Sequence, residues 1–134
     1  MSADYPSMTT AEIRSKFLNF FEERGLKLYP SSSLVPDDPS LLLANAGMNQ
    51  FKEYYQGKKT MKEIGAISCQ KCVRTNDIDC IGEDGRHLSF FEMLGDFSFG
   101  GVSKQQACAW AFELITKEFK LPLDRLYFTV FTED

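Results

Sequence analysis

Two β-rich runs with a polar loop between them limit what this chain can fold into. Ala66–Arg74 and Arg86–Leu94 read as strands, and Thr75–Gly85 separates them by about eleven residues. Strands joined this directly pair antiparallel, since a parallel pair needs a crossover, usually a helix. Hairpin loops usually hold two to five residues, and longer loops without structure of their own are usually functional. This loop contains Asp77, Asp79, Glu83 and Asp84, and Arg74 and Arg86 stand at its two mouths. Like charges facing across a strand pair destabilise it. A bound polyanion would remove that cost through charge-assisted hydrogen bonds, and the planar arginine fork meets two oxygens at once. His87 and the pair Phe90-Phe91 follow. Adjacent strand residues point to opposite faces, so one phenyl ring can enter the core while the other stacks on a flat ligand. Each feature alone has a plainer reading: an arginine paired with a loop acid, a hydrogen-bonded structural His, two core phenylalanines. Their coincidence points to a site for a polyanion attached to a flat ring.

The flanking sequence supplies a scaffold. Thr9 and Glu12 form a capping box, and Ile13, Phe17, Phe20 and Phe21 make one apolar stripe of a helix reaching about Arg24, closed by Gly25. Leu26–Tyr29 reads as a short strand, Leu41–Ala44 as a buried strand, and Asn49–Gln56 as a short helix. In the first hairpin strand, Ile67, Cys69, Lys71 and Val73 share one face; the small and polar Ser68, Gln70, Cys72 and Arg74 share the other. Ser103 and Gln106 open a helix reaching about Lys120, its stripe made of Ala107, Trp110, Ala111, Leu114 and Ile115 with Phe119. Leu126–Phe131 reads as a final strand. A strand at the end of the chain suggests a piece of a longer protein.

Composition excludes several classes. A chain of 134 residues, 43% hydrophobic with 12 Phe, is one domain with an ample core. Its net charge of −4 gives no broad basic footprint, so neither DNA nor nonspecific nucleic-acid binding is expected. No apolar run approaches a membrane span, and MSADYPSMTT lacks the regions of a secretory signal. Four Cys in that setting read as free thiols in a reducing, cytoplasmic compartment. Cys69, Cys72, Cys80 and His87 also spell C-x2-C-x7-C-x6-H, a zinc-like spacing. On a strand, however, residues three apart face opposite sides, so Cys69 and Cys72 cannot meet on one ion.

RHLSFFEMLGDFSFG, CQKCVR and LVPDDPSLLLANAGMNQFK, with TAEIRSKFLNFF before them and LYFTVF after, together resemble the N-terminal catalytic region of the alanyl-tRNA synthetase family, a class II aminoacyl-tRNA synthetase. The resemblance implies an α+β fold, an antiparallel sheet flanked by helices. Residues 1–134 would be the N-terminal portion of the catalytic domain. Thr10–Arg24 and the segment ending at Pro36 are similar to motif 1, Lys71–Leu94 to motif 2, and motif 3 is absent. By resemblance, Arg74 is the catalytic arginine that contacts the α-phosphate of ATP and the alanine carboxylate. A second cation and the adenine-stacking ring follow in either of two registers, Arg86 with Phe90 or His87 with Phe91. Thr75, Asn76 and Asp77 begin a loop that would approach the acceptor end of tRNA(Ala). The implied cofactors are ATP and Mg²⁺, with zinc only in the missing C-terminal part. Alanine, tRNA(Ala) and the rest of the synthetase chain are the implied partners. Alone, the chain is expected to be inactive. The other readings are a truncated paralogue that binds a nucleotide or a partner without catalysis, and a small zinc-binding module. One departure matters: many family members carry Gly-Gly-Lys-His before Asn-Asp, whereas here Arg74-Thr75 runs directly into Asn76-Asp77, so a loop lysine is missing.

Overall fold

A computed structural model describes residues 7–76 and 78–133; the predicted loop residue Asp77 lies outside them. Helix α1 (Thr10–Glu22) begins at the expected capping box. Thr9 Oγ1 accepts from the Glu12 N–H at 3.2 Å, and Glu12 accepts from the Thr9 N–H at 2.7 Å. The chain leaves the helix through Gly25, whose φ of +88° suits a residue without a Cβ. It then enters β1 (Lys27–Leu28). The sheet continues with β2 (Gly65–Val73) and β3 (Phe90–Ser98), in the order β1-β2-β3. The long pair β2/β3 is antiparallel from Gly65↔Ser98 to Val73↔Phe90, and β1 adds a short parallel edge at Lys27↔Ala66.

One face of the sheet is covered by helices. Phe17, Phe20 and Phe21 of α1 pack with Leu26, Ile67 and Leu114, and Leu94, Trp110 and Phe119 close around them. Leu114 and Phe119 belong to or follow the turn Leu114–Glu118, a π-helical continuation of α3 (Lys104–Glu113). The apolar stripe expected of α3 is therefore only partly used: Leu114 is buried, whereas Ala107 and Ala111 are exposed.

The opposite face is covered by irregular chain. Ala44 is buried, the 3₁₀ turn Gly47–Phe51 leads into α2 (Lys52–Tyr55), and the Phe51 ring sits 4.7 Å from that of Phe97. Beneath this cover Ser68, Gln70 and Cys72 are no more than 1% exposed. The face that is small and polar in sequence is thus the more deeply buried one. Gln70 makes that possible. Its Oε1 accepts from the Ser32 N–H (2.9 Å), the Ser32 hydroxyl (3.1 Å) and Gln50 Nε2 (3.0 Å). Its Nε2 donates to the carbonyls of Ser32 (3.2 Å) and Lys71 (2.8 Å). A buried amide with both ends occupied costs little.

Three expected strands differ. Leu41–Ala44 is irregular: Leu42 is 93% exposed, and Ala44 makes only isolated backbone bonds, its N–H to Leu34 and its C=O from Val73. Leu126–Phe131 forms no strand among the described residues, with Tyr127 at 92% exposure. The second hairpin strand begins at Phe90 rather than Arg86, because the Asp84 carboxylate accepts the backbone N–H groups of Arg86 (2.9 Å) and His87 (3.0 Å). Those donors are turned inward to a loop side chain instead of across to β2.

Candidate functional site

Arg74 is the first residue past β2. Its N–H donates to the Ser89 carbonyl at 2.9 Å, so the residue across from it is Ser89 and not Arg86. The expected repulsion of two facing arginines does not arise. What remains is more specific. Phe91 stands opposite Cys72 in the β2/β3 register, and Phe90 opposite Val73. Side chains alternate along a strand, so Phe91 shares the face of Cys72 and Arg74, while Phe90 points to the other face, 51% exposed. The Arg74 guanidinium carbon lies 5.3 Å from the centroid of the Phe91 ring, within cation–π range. Arg74 Nε donates to the Asn45 carbonyl at 2.9 Å. The structure therefore brings Arg74 and Phe91 together and keeps Phe90 apart from them.

Arg86 and His87 lie in the exposed turn before β3. Asp84 organises that turn. Besides its two backbone bonds, it meets His87 Nδ1 at 2.5 Å. These contacts, the His87 and Arg86 backbone N–H groups foremost, hold its carboxyl at about 2. Thr75 and Asn76 are exposed at the start of the loop, and Ile78–Cys80 forms a single 3₁₀ turn within it.

The zinc-like cysteines do not converge. Cys69 and Cys72 project to opposite faces of the unbroken strand β2, and burial raises both thiols above the usual cysteine value. Among the described residues no three His, Cys, Asp or Glu side chains gather to hold a metal. An open groove of about 520 Å³ lies elsewhere, between Ser32–Pro39 and Asn49–Lys59, and includes neither Arg74 nor Phe91. The element that sequence reasoning missed is the segment Ala44–Gly47, whose backbone meets Arg74. Its nearest signal was the block ANAGM, whose glycine proves to be buried.

A sequence profile for the tRNA synthetases of class II (A) matches residues 12–134. The chain belongs to that family. It is 55% identical, over 91% of its length, to the chloroplastic/mitochondrial alanine–tRNA ligase of Sorghum bicolor. It is 52% identical over its whole length to the alanine–tRNA ligase of Synechocystis sp., and 52% identical over 95% to that of Pseudothermotoga lettingae. The chain spans 13% of the Sorghum protein and 15% of each of the other two. As a class II synthetase segment it carries the α+β architecture described above. No helix among the described residues is long and apolar enough to cross a membrane. The cytoplasmic placement expected from the sequence is not implied by the family, whose relatives include chloroplastic and mitochondrial enzymes.

Proposed function

We propose that this chain is the N-terminal segment of an alanine–tRNA ligase catalytic domain, residues 1–134, and carries one wall of its ATP site. The observation that carries this reading is the pairing of the Arg74 guanidinium with the Phe91 ring on one sheet face. A nucleotide offers both partners such a pair needs: a flat base for the ring and a phosphate chain for the arginine. Phe91 stacks on adenine, and Arg74 binds the α-phosphate and the alanine carboxylate. Of the two possible registers, the shared face favours His87 with Phe91 over Arg86 with Phe90. Arg86, in the same turn, is a second cation available to the phosphates. The loop that begins at Thr75 and Asn76 approaches the acceptor end of tRNA(Ala).

In this reading the alanine carboxylate attacks the α-phosphorus and pyrophosphate leaves; a hydroxyl of the terminal ribose of tRNA(Ala) then attacks the alanyl carbonyl carbon, and AMP leaves. No side-chain nucleophile takes part. Arg74 acts by orienting the two reactants and by stabilising charge on the phosphoryl oxygens as the new bond forms. Mg²⁺, implied by the family, finds no ready-made ligand cluster among the described residues, and no residue is assigned to it.

Alanine-dependent ATP–pyrophosphate exchange by the complete synthetase tests the assignment. Arg74→Ala is expected to lower exchange by roughly 10²–10³-fold, the loss typical of one preorganised donor to a developing oxyanion. Near-normal exchange would overturn the assignment. The 134-residue chain alone is expected to show none.

A further inference from the structure

We infer that the segment Ala44–Gly47 is a positioning strap for Arg74, with Gly47 and Asn45 its key residues; this rests on the function proposed above. Arginine has five N–H donors in a rigid fork. Using the Nε–H on a fixed acceptor sets the plane and direction of the whole guanidinium and turns its terminal nitrogens outward. The acceptor here is the Asn45 carbonyl, at 2.9 Å.

That carbonyl is held on both sides. The preceding residue, Ala44, is fully buried; its C=O accepts from Val73 (2.9 Å) and its N–H donates to Leu34 (2.8 Å). Asn45 Oδ1 accepts from Asn49 Nδ2 at 3.1 Å. Two residues on, the Gly47 N–H contacts Met93 Sδ at 3.1 Å. Gly47 is required for space and not for its dihedral angles. A Cβ there would lie 3.2 Å from the Phe97 ring and 3.7 Å from Met93 Sδ. The Phe97 ring cannot readily give way, because it already covers Gly95 and packs on Phe51. A side chain at position 47 would therefore lift the strap by a few tenths of an ångström and carry the Asn45 carbonyl with it.

The test follows the Arg74 Nε–H by NMR in isotope-labelled chain, with ATP as the probe. In the unmodified chain this N–H is expected to exchange slowly with water, and ATP is expected to shift the Arg74 side-chain resonances. Gly47→Ala speeds the exchange and weakens the ATP response roughly tenfold, a share of the 10²-fold that a 1 Å misplacement can cost, while the amide spectrum of α1 stays in place. Asn49→Ala acts in the same direction, adds no bulk, and keeps the test open should Gly47→Ala fail to fold. Rapid exchange of the Arg74 Nε–H in the unmodified chain overturns the inference, whatever ATP does. A protected N–H with no ATP response overturns the function reading instead, and the strap loses its role with it. Unchanged exchange and ATP response in both variants also overturn the inference.

Discussion

Gln70→Leu should be the most damaging near-isosteric change in the sheet. The amide is 1% exposed and bridges β2 to Ser32 through three of its five hydrogen bonds and to Gln50 through a fourth. Leucine removes the partners of the Ser32 backbone N–H and the Lys71 C=O together, while the Ser32 C=O keeps the Ser31 hydroxyl at 3.2 Å. The Ser32 hydroxyl and the Gln50 amide can swing to water, but these two backbone groups are fixed by the chain. Each buried group left unpaired costs about 1–3 kcal/mol. The added apolar burial returns about 1 kcal/mol, which leaves a net loss of about 1–5 kcal/mol with a centre near 3. With a urea slope of about 2 kcal/mol per molar, the unfolding midpoint should fall by about 1.5 M. Trp110, the one tryptophan, reports the transition from the helix-covered face. Gln50→Ala removes one donor and should cost only about 1 kcal/mol. A Gln70→Leu midpoint within about 0.3 M of the parent would refute the reasoning, since the segment around Ser32 would then not depend on that amide.

The four cysteines should divide evenly in a thiol-labelling experiment at neutral pH. Cys80 and Cys108, both exposed, react quickly, while Cys72 (buried) and Cys69 (half-buried, its thiol raised) react slowly; uniform rates would show that β2 opens readily. The turn holding Arg86 and His87 should loosen only in strong acid. Asp84 is depressed to about 2, so its contribution is complete above the ordinary carboxylate value of about 4 and is lost as pH falls toward 2. The backbone amide resonances of Arg86 and His87 should titrate with a midpoint near that lower value, and a midpoint near 4 would mean the turn is not formed.

The parts of the fold governed by local chemistry were legible in the sequence. Thr9, Glu12 and Gly25 act on their own neighbours, and α1 runs where they place it. The hairpin, too, follows from two β-rich runs. The rest falls where a distant residue decides. Whether Ser68, Gln70 and Cys72 face water or a covering segment depends on Ser32, Gln50 and Phe51, which no periodicity within β2 reveals. The start of β3 was misplaced because one side chain, Asp84, takes two backbone donors that a strand would otherwise use. Leu126–Phe131 has strand-like composition, but composition cannot supply the neighbour to which a strand must bond. At the candidate site, the charge pattern pointed to Arg74, but alternation alone could not choose between Phe90 and Phe91. The register against β2 ties Phe91 to Arg74. The Asn45 carbonyl, being backbone, leaves no mark in residue type.

The Phe97 ring occupies the volume that side chains would need at two glycines remote in sequence. A Cβ on Gly95 would come within 2.5 Å of it, and one on Gly47 within 3.2 Å. These three positions are therefore not free to vary separately. While position 97 keeps its ring, position 95 is confined to glycine, and a homologue with a side chain there must carry a smaller residue at 97. Substitutions across relatives should show this as a linked exchange, with 97 shrinking before, or together with, any growth at 95.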